Sequence, residues 1–279
     1  MRYASHLWLA TAMGLPALTS AQTPAPPGAC PPVLGIAREI EKYGHGAAHM
    51  ENEVQWTASQ ARAGSSTSLG MVSETGAAEA WWLIPYASFA EQGKQEGTPA
   101  FQVVNAKYSA LDSPHVESAR LLTAVLRPDM SAPNACDVTM AREMEVTTWR
   151  IRPGHDDRFA QSAKTYFEVM KRAGVPLTGV MYQVVAGAPA GTYIAFNIIR
   201  SPADYDKNMA MDQKIGPAMT PEENASLNKF LTEGTISFET QRFRVDPNIS
   251  IAGPDLIKAD PAFWTPSWKK ALPKKAAKP

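Results

Sequence analysis

At 279 residues the chain is long enough for one large domain or two small ones, each with its own buried core. Its 27 Lys and Arg are balanced by 27 Asp and Glu, and charged residues are only 19% of the chain. That excludes a nucleic-acid binder resting on a basic footprint, and two cysteines without ligand spacing exclude a thiolate zinc site.

Residues 1–21 read as an export signal. Arg2 supplies the positive end, Leu7 to Leu18 is apolar but short for a bilayer span, and Thr19-Ser20-Ala21 sets small residues before a cut ahead of Gln22. The expectation is a periplasmic or secreted protein with no membrane span after removal of the signal. Residues 22–32 (QTPAPPGACPP) form a Pro-rich linker. Val33 to Glu41 reads as a strand, broken at Tyr43-Gly44-His45-Gly46. Ala47 to Ala63 then carries Ala47, Met50, Val54, Ala58 and Ala61 at helical spacing and stops at Gly64. Strands over Ser68 to Glu74 and Ala78 to Ile84 flank a Thr75-Gly76 turn. Helical pieces over Ser88 to Gln95 and Ala100 to Leu111, and a strand over Ser118 to Arg127, complete a first unit spanning 33–129.

A linker of residues 130–142 leads to a second unit, 143–246, with the same order of elements. Met144 to Arg152 is a strand, and Asp156 to Ala173 a helix with Phe159, Ala163, Tyr166, Phe167 and Met170 on one side. Leu177 to Val185 and Thr192 to Ile199 form a hairpin. Ser201-Pro202 predicts a capped helix over 203–212, and Thr220-Pro221-Glu222-Glu223 opens another to Thr232. The last strand runs from Gly234 to Val245. Residues 247–279 form an irregular extension. Its aromatic part, 256–268, is expected to pack on the body, and its basic end (Lys270, Lys274, Lys275, Lys278) to be solvated.

The two units are copies. Gly154-His155 lies 110 positions after Gly44-His45, and Arg172-Ala173-Gly174 lies 110 after Arg62-Ala63-Gly64, without a gap. Each copy reads β-α-β-β-α-β, the ferredoxin-like split motif, whose antiparallel sheet has helices on one face and needs a partner on the other. Two copies satisfy each other. The predicted fold is therefore α+β, two tandem ferredoxin-like units whose sheets pack face to face as an intrachain α/β barrel, with a monomer as the default. The arrangement resembles the dimeric α/β-barrel superfamily in fused form. The run from Arg150 to Phe159 (RIRPGHDDRF) is similar to the start of NIPSNAP-like and antibiotic-biosynthesis-monooxygenase-like domains. The first unit departs from that pattern, with Tyr43 in place of the Pro and His49 in place of Phe159. The resemblance implies a small-molecule binder, or a cofactor-free or haem-dependent monooxygenase or lyase; it transfers no catalytic residue.

Residues with chemistry to offer are few. His45 and His155 stand at equivalent helix starts, where an imidazole suits proton transfer or a shared turn. His49 lies one turn after His45, with Glu53 continuing the row, so His45 and His49 are the candidate metal or haem ligands. No metal is otherwise predicted. Arg38 and Arg150 are strand residues that, if turned inward, require an anionic partner such as Glu239 or a ligand carboxylate. Trp81, Trp82, Trp149, Tyr166, Tyr182 and Tyr193 are candidates to line an aromatic pocket for a small apolar ligand, or else belong to the core. Cys30 and Cys136 precede the two units at matching points, either as a disulfide or as two free thiols. Asn224-Ala225-Ser226 and Asn248-Ile249-Ser250 match glycosylation sequons. Glu39 against Trp149, Ile40 against Arg150 and His49 against Phe159 mark where the copies diverge, and suggest that one unit keeps a pocket and the other supports it.

Overall fold

The structure, a computed structural model, describes residues 29–133 and 135–270. The predicted signal, most of the Pro-rich linker and the end of the basic tail lie outside these residues. The first unit comprises β1 (Val33–Glu41), α1 (Gly46–Arg62), β2 (Leu69–Ser73), β3 (Glu79–Tyr86), α2 (Phe89–Glu96), α3 (Pro99–Asp112) and β4 (Val116–Leu126). The second comprises β5 (Glu143–Ile151), α4 (Asp156–Arg172), β6 (Val180–Ala186), β7 (Thr192–Ile199), α5 (Ala203–Ala218), α6 (Pro221–Glu233) and β8 (Thr235–Val245). No helix among the described residues is long and apolar enough to cross a membrane.

The sheets do more than face each other. β2 pairs antiparallel with β8 from Met71↔Val245 to Ser73↔Phe243, and β4 pairs with β6 from Thr123↔Ala186 to Leu126↔Tyr182. These seams close all eight strands into one barrel in the order β1-β3-β2-β8-β5-β7-β6-β4. Closure removes the unpaired edges that two separate sheets would expose. Strand side chains alternate between the barrel interior and the helix layer. Leu34 and Ile36, Met71, Trp81 and Leu83, Leu122, Met144 and Val146, Tyr182 and Val184, Ile194 and Phe196, and Phe243 and Val245 fill the interior. An eight-stranded barrel is just wide enough for such side chains to meet. The space between the sheets is thus a packed core over most of its length.

The C-terminal extension is not irregular. It forms a 3-10 turn (Pro247–Ile249) and three short helices, α7 (Pro254–Ala259), α8 (Pro261–Trp264) and α9 (Ser267–Lys270). Trp264 is fully buried against the barrel core and donates its indole N–H to the Thr139 carbonyl at 2.8 Å. Arg142 pairs with Asp260 and lies over the Phe263 ring. Cys30 and Cys136 are bonded to each other and pack against the same end of the core. This end of the barrel is therefore plugged.

Two local readings are corrected. α5 runs to Ala218, with Pro217 in its last turn, where the helix is already ending and a missing N–H disrupts little. Ser201 does not cap it; the Asp204 carboxylate instead accepts the backbone N–H groups of Arg200 and Ser201. The matched Gly-His has a backbone cause. Gly44 and Gly154 hold φ of +83° and +81°, a left-handed conformation that L side chains rarely adopt, so both copies keep glycine at this turn.

Candidate functional site

Each unit encloses a space between its half of the barrel and its helices, and the two spaces are built differently. In the second unit β5, β6 and β7 form the floor, α4 and α6 the walls. The residues turned toward the helices are Thr147 and Trp149 of β5, Met181 of β6, and Ala195 and Asn197 of β7. α4 supplies Phe159, Ser162, Ala163, Tyr166 and Phe167, the apolar stripe legible in the sequence, and α6 supplies Asn224, Leu227, Asn228, Phe230 and Leu231. They enclose a cavity of about 470 Å³, within the range of small-molecule sites. Trp149 lies between the rings of Phe238, stacked at 4.7 Å, and Phe159, tilted at 5.4 Å. Phe159 stacks in turn on Phe230 at 5.5 Å. Burial, with Asp212 adding to it, raises the Tyr166 phenol above its usual range, so it remains protonated and able to donate.

Among the described residues, the equivalent place in the first unit is filled by side chains. Here Trp82 stands where β7 has Ala195, since Ala37 pairs with Trp82 and Thr147 with Ala195. Ile249, from the turn after β8, packs on Trp82, Ala80, Met50 and Val54 and accepts the Trp82 indole N–H on its carbonyl at 3.1 Å. Gly70 permits this approach, because a Cβ there would lie 2.4 Å from the Ile249 carbonyl oxygen. The rest of the layer is polar, around His49, Glu53 and Asp112.

A smaller cavity, about 210 Å³, opens at the unplugged end of the barrel among Arg38, Arg120, Thr148, Arg150, Thr192 and Glu239. Arg38 and Arg150 do face inward, and Glu39 and Trp149 accordingly face the helices. The anion that answers Arg38 is Glu79, not Glu239. Glu79 is almost fully buried and accepts from the Arg38 guanidinium at 2.9 Å, from the Trp81 indole at 2.8 Å and from Gln241 at 2.9 Å, while Arg38 lies 4.1 Å over the Trp81 ring.

The aromatic candidates are thus dispersed. Trp149 and Tyr166 line the large cavity. Trp81 and Tyr182 are barrel core, the latter donating its hydroxyl to the Pro31 carbonyl at 2.9 Å. Trp82 belongs to the filled layer of the first unit. Tyr193 is buried beneath Phe159 and donates to Asp156 at 2.7 Å. Strand alternation sends neighbouring rings to opposite faces, which composition alone does not resolve. His155 and His45 lie outside all three spaces. His155 heads α4 with Nδ1 3.4 Å from Arg158, and the exposed His45 is 3.0 Å from Nδ1 of His115. His45 and His49 therefore do not share a ligand, because the first lies at the surface and the second in the core. The polar lining residues Ser162, Thr178, Asn197 and Asn228 had no sequence signal, and Asn224 had only its sequon.

No known protein family matches the sequence, and no curated protein resembles it at a significant level. Solved structures do. An anthrone oxidase-like protein superposes with a TM-score of 0.50 at 10% identity, over 76% of this chain and 90% of its own. A Lactobacillus acidophilus NCFM protein provisionally named a monooxygenase gives 0.47 at 7% identity, over 77% and 94%. A chlorite dismutase variant from Candidatus Nitrospira defluvii gives 0.47 at 8%, over 82% and 95%. At these identities the likeness is one of fold alone, the α+β barrel.

The cavity's residues do not fit an imidazole- or thiolate-ligated haem. Its lining contains neither His nor Cys.

Proposed function

We propose that the protein binds a small apolar or aromatic molecule in the cavity of its second unit. The carrying observation is the cavity itself: about 470 Å³ lined by Trp149, Phe159, Tyr166, Phe167 and Phe230, with the Asn197, Asn224 and Asn228 amides as polar handles. Stacking on Trp149 and Phe159 supplies affinity, and the amides select for a ligand carrying hydroxyl or carbonyl oxygen. An oxidoreductase of the superfamily, acting without a cofactor, would use the same cavity by shielding an electron-rich aromatic from bulk water while oxygen reacts with it. We further propose that the protein works outside the cytoplasm. Two features support this, the apolar stretch from Leu7 to Leu18 and the Cys30–Cys136 bond, which persists in oxidising compartments. N-terminal sequencing of the mature protein should begin at Gln22.

Titration of the full chain with 2-naphthol, followed by tryptophan fluorescence, should show saturable one-site quenching that is lost in Trp149→Phe. Ala195→Trp, which installs the first unit's residue, should abolish binding while circular dichroism stays unchanged. Absence of saturation, or undiminished binding in Ala195→Trp, overturns the reading. Oxygen uptake during the titration separates turnover from binding.

A further inference from the structure

Four residues that line the second unit's cavity have polar counterparts in the first. Trp149 answers Glu39, Phe159 answers His49 and Ala163 answers Glu53, each 110 positions apart. Leu231 answers Asp112, both four residues before the strand that closes the unit. In place of a cavity, these side chains form a closed cluster. One ligand-type atom from each of Glu39, His49, Glu53 and Asp112 lies within 4.8 Å of all the others. His49 is 0% exposed, and Glu53 and Asp112 are each 2% exposed.

Asp112 is fully engaged. One carboxylate oxygen lies 2.7 Å from His49 Nδ1 and the other accepts from Asn52 Nδ2 at 3.0 Å. Since the carboxylate accepts, Nδ1 of His49 carries the hydrogen, and in the neutral ring Nε2 presents a lone pair. That Nε2 is buried without a hydrogen-bond partner among the described residues, and so are Glu53 Oε1 and Glu39 Oε2. Buried polar atoms are almost always satisfied, so three orphans in one cluster signal a missing partner. One imidazole nitrogen and two carboxylate oxygens form a familiar ligand set, with a carboxylate orienting the imidazole from behind. The four groups lie within 4.8 Å of one another, so small side-chain rotations bring three of them to the metal–ligand distances of about 2.0–2.3 Å that one ion requires.

The geometry points to a buried divalent transition-metal site in the first unit, with His49, Glu39 and Glu53 as ligands and Asp112 as the positioning residue. Such an ion clamps α1 and α3 to β1. The cluster is closed off from solvent, with His49, Glu53 and Asp112 at most 2% exposed, which suits a structural ion.

The full chain, stripped with EDTA and dialysed, is to be titrated with Zn2+ and Mn2+ by calorimetry, with Mg2+ as control. About one equivalent of Zn2+ or Mn2+ should bind and raise the melting temperature. Affinity should fall at least tenfold in Glu53→Gln and in His49→Gln, and remain unchanged in His45→Ala, which removes the exposed His45–His115 pair. Failure of the wild-type chain to bind Zn2+ or Mn2+ overturns the proposal. So does binding that survives both core substitutions, or that disappears in His45→Ala. The outcome is independent of ligand binding in the second unit.

Discussion

Glu79 shows how one buried carboxylate gathers the polar groups toward the open end of the barrel. It is 1% exposed and takes hydrogen bonds from Arg38, Trp81 and Gln241, so strands β1, β3 and β8 converge on one carboxylate. Truncating one member of a buried pair leaves the other's charge and donors uncompensated. Glu79→Ala should cost about 3 kcal/mol, read as a lower denaturation midpoint at unchanged m-value. Gly70 is the converse case, where the side chain is absent for a reason. Gly70→Ala places a Cβ against the Ile249 carbonyl and should cost about 1–3 kcal/mol by forcing the C-terminal turn outward. Equal stability of this variant in urea would show that the turn is not seated on β2.

Among the elements, α4 and α1 are the informative pair. Both have 17 residues, both begin after the same glycine turn, and both end with Arg in the last turn. They differ on the buried face, aromatic in α4 and ionisable in α1. α6 completes the cavity and is held at its start by a reciprocal capping box, in which Thr220 Oγ1 accepts from the Glu223 N–H and Glu223 accepts from the Thr220 N–H. Thr220→Ala should cost about 1 kcal/mol and loosen the wall carrying Asn224 and Asn228. A ligand bound there should then dissociate faster with little change in circular dichroism. An unchanged dissociation rate would place the ligand away from α6.

For the whole molecule, the plugged end of the barrel carries a covalent tie between the segments that flank the first unit. The Cys30–Cys136 bond spans a separation of 106 residues and so encloses the whole first unit. A cross-link around so long a loop restricts the unfolded chain strongly, and its loss should cost about 2–5 kcal/mol. Unfolding with and without reductant should differ by that amount, and a Cys30→Ser/Cys136→Ser chain should match the reduced protein. Identical curves would mean that the barrel seams alone determine stability. Trp264, buried over the same end, should behave likewise, with Trp264→Ala costing about 3–5 kcal/mol.

The amino-acid sequence by itself determined the order of elements and the duplication, because helical and strand periodicities and turn glycines are local signals. Gly44 and Gly154 recur for one backbone reason, and the stripe Phe159, Ala163, Tyr166, Phe167 marks the α4 wall directly. The positions at which the copies diverge, Glu39 against Trp149 and His49 against Phe159, pointed to a pocket kept in one unit with the other as its support. Only the tertiary structure decided what those differences do. Asp112 meets His49 across 63 residues, Glu79 rather than Glu239 answers Arg38, and Ile249 returns from beyond β8 to fill the first unit. Such contacts depend on barrel closure and on which face of a strand each residue takes. A one-residue shift reverses that face, and no local pattern encodes the partner waiting on the other side.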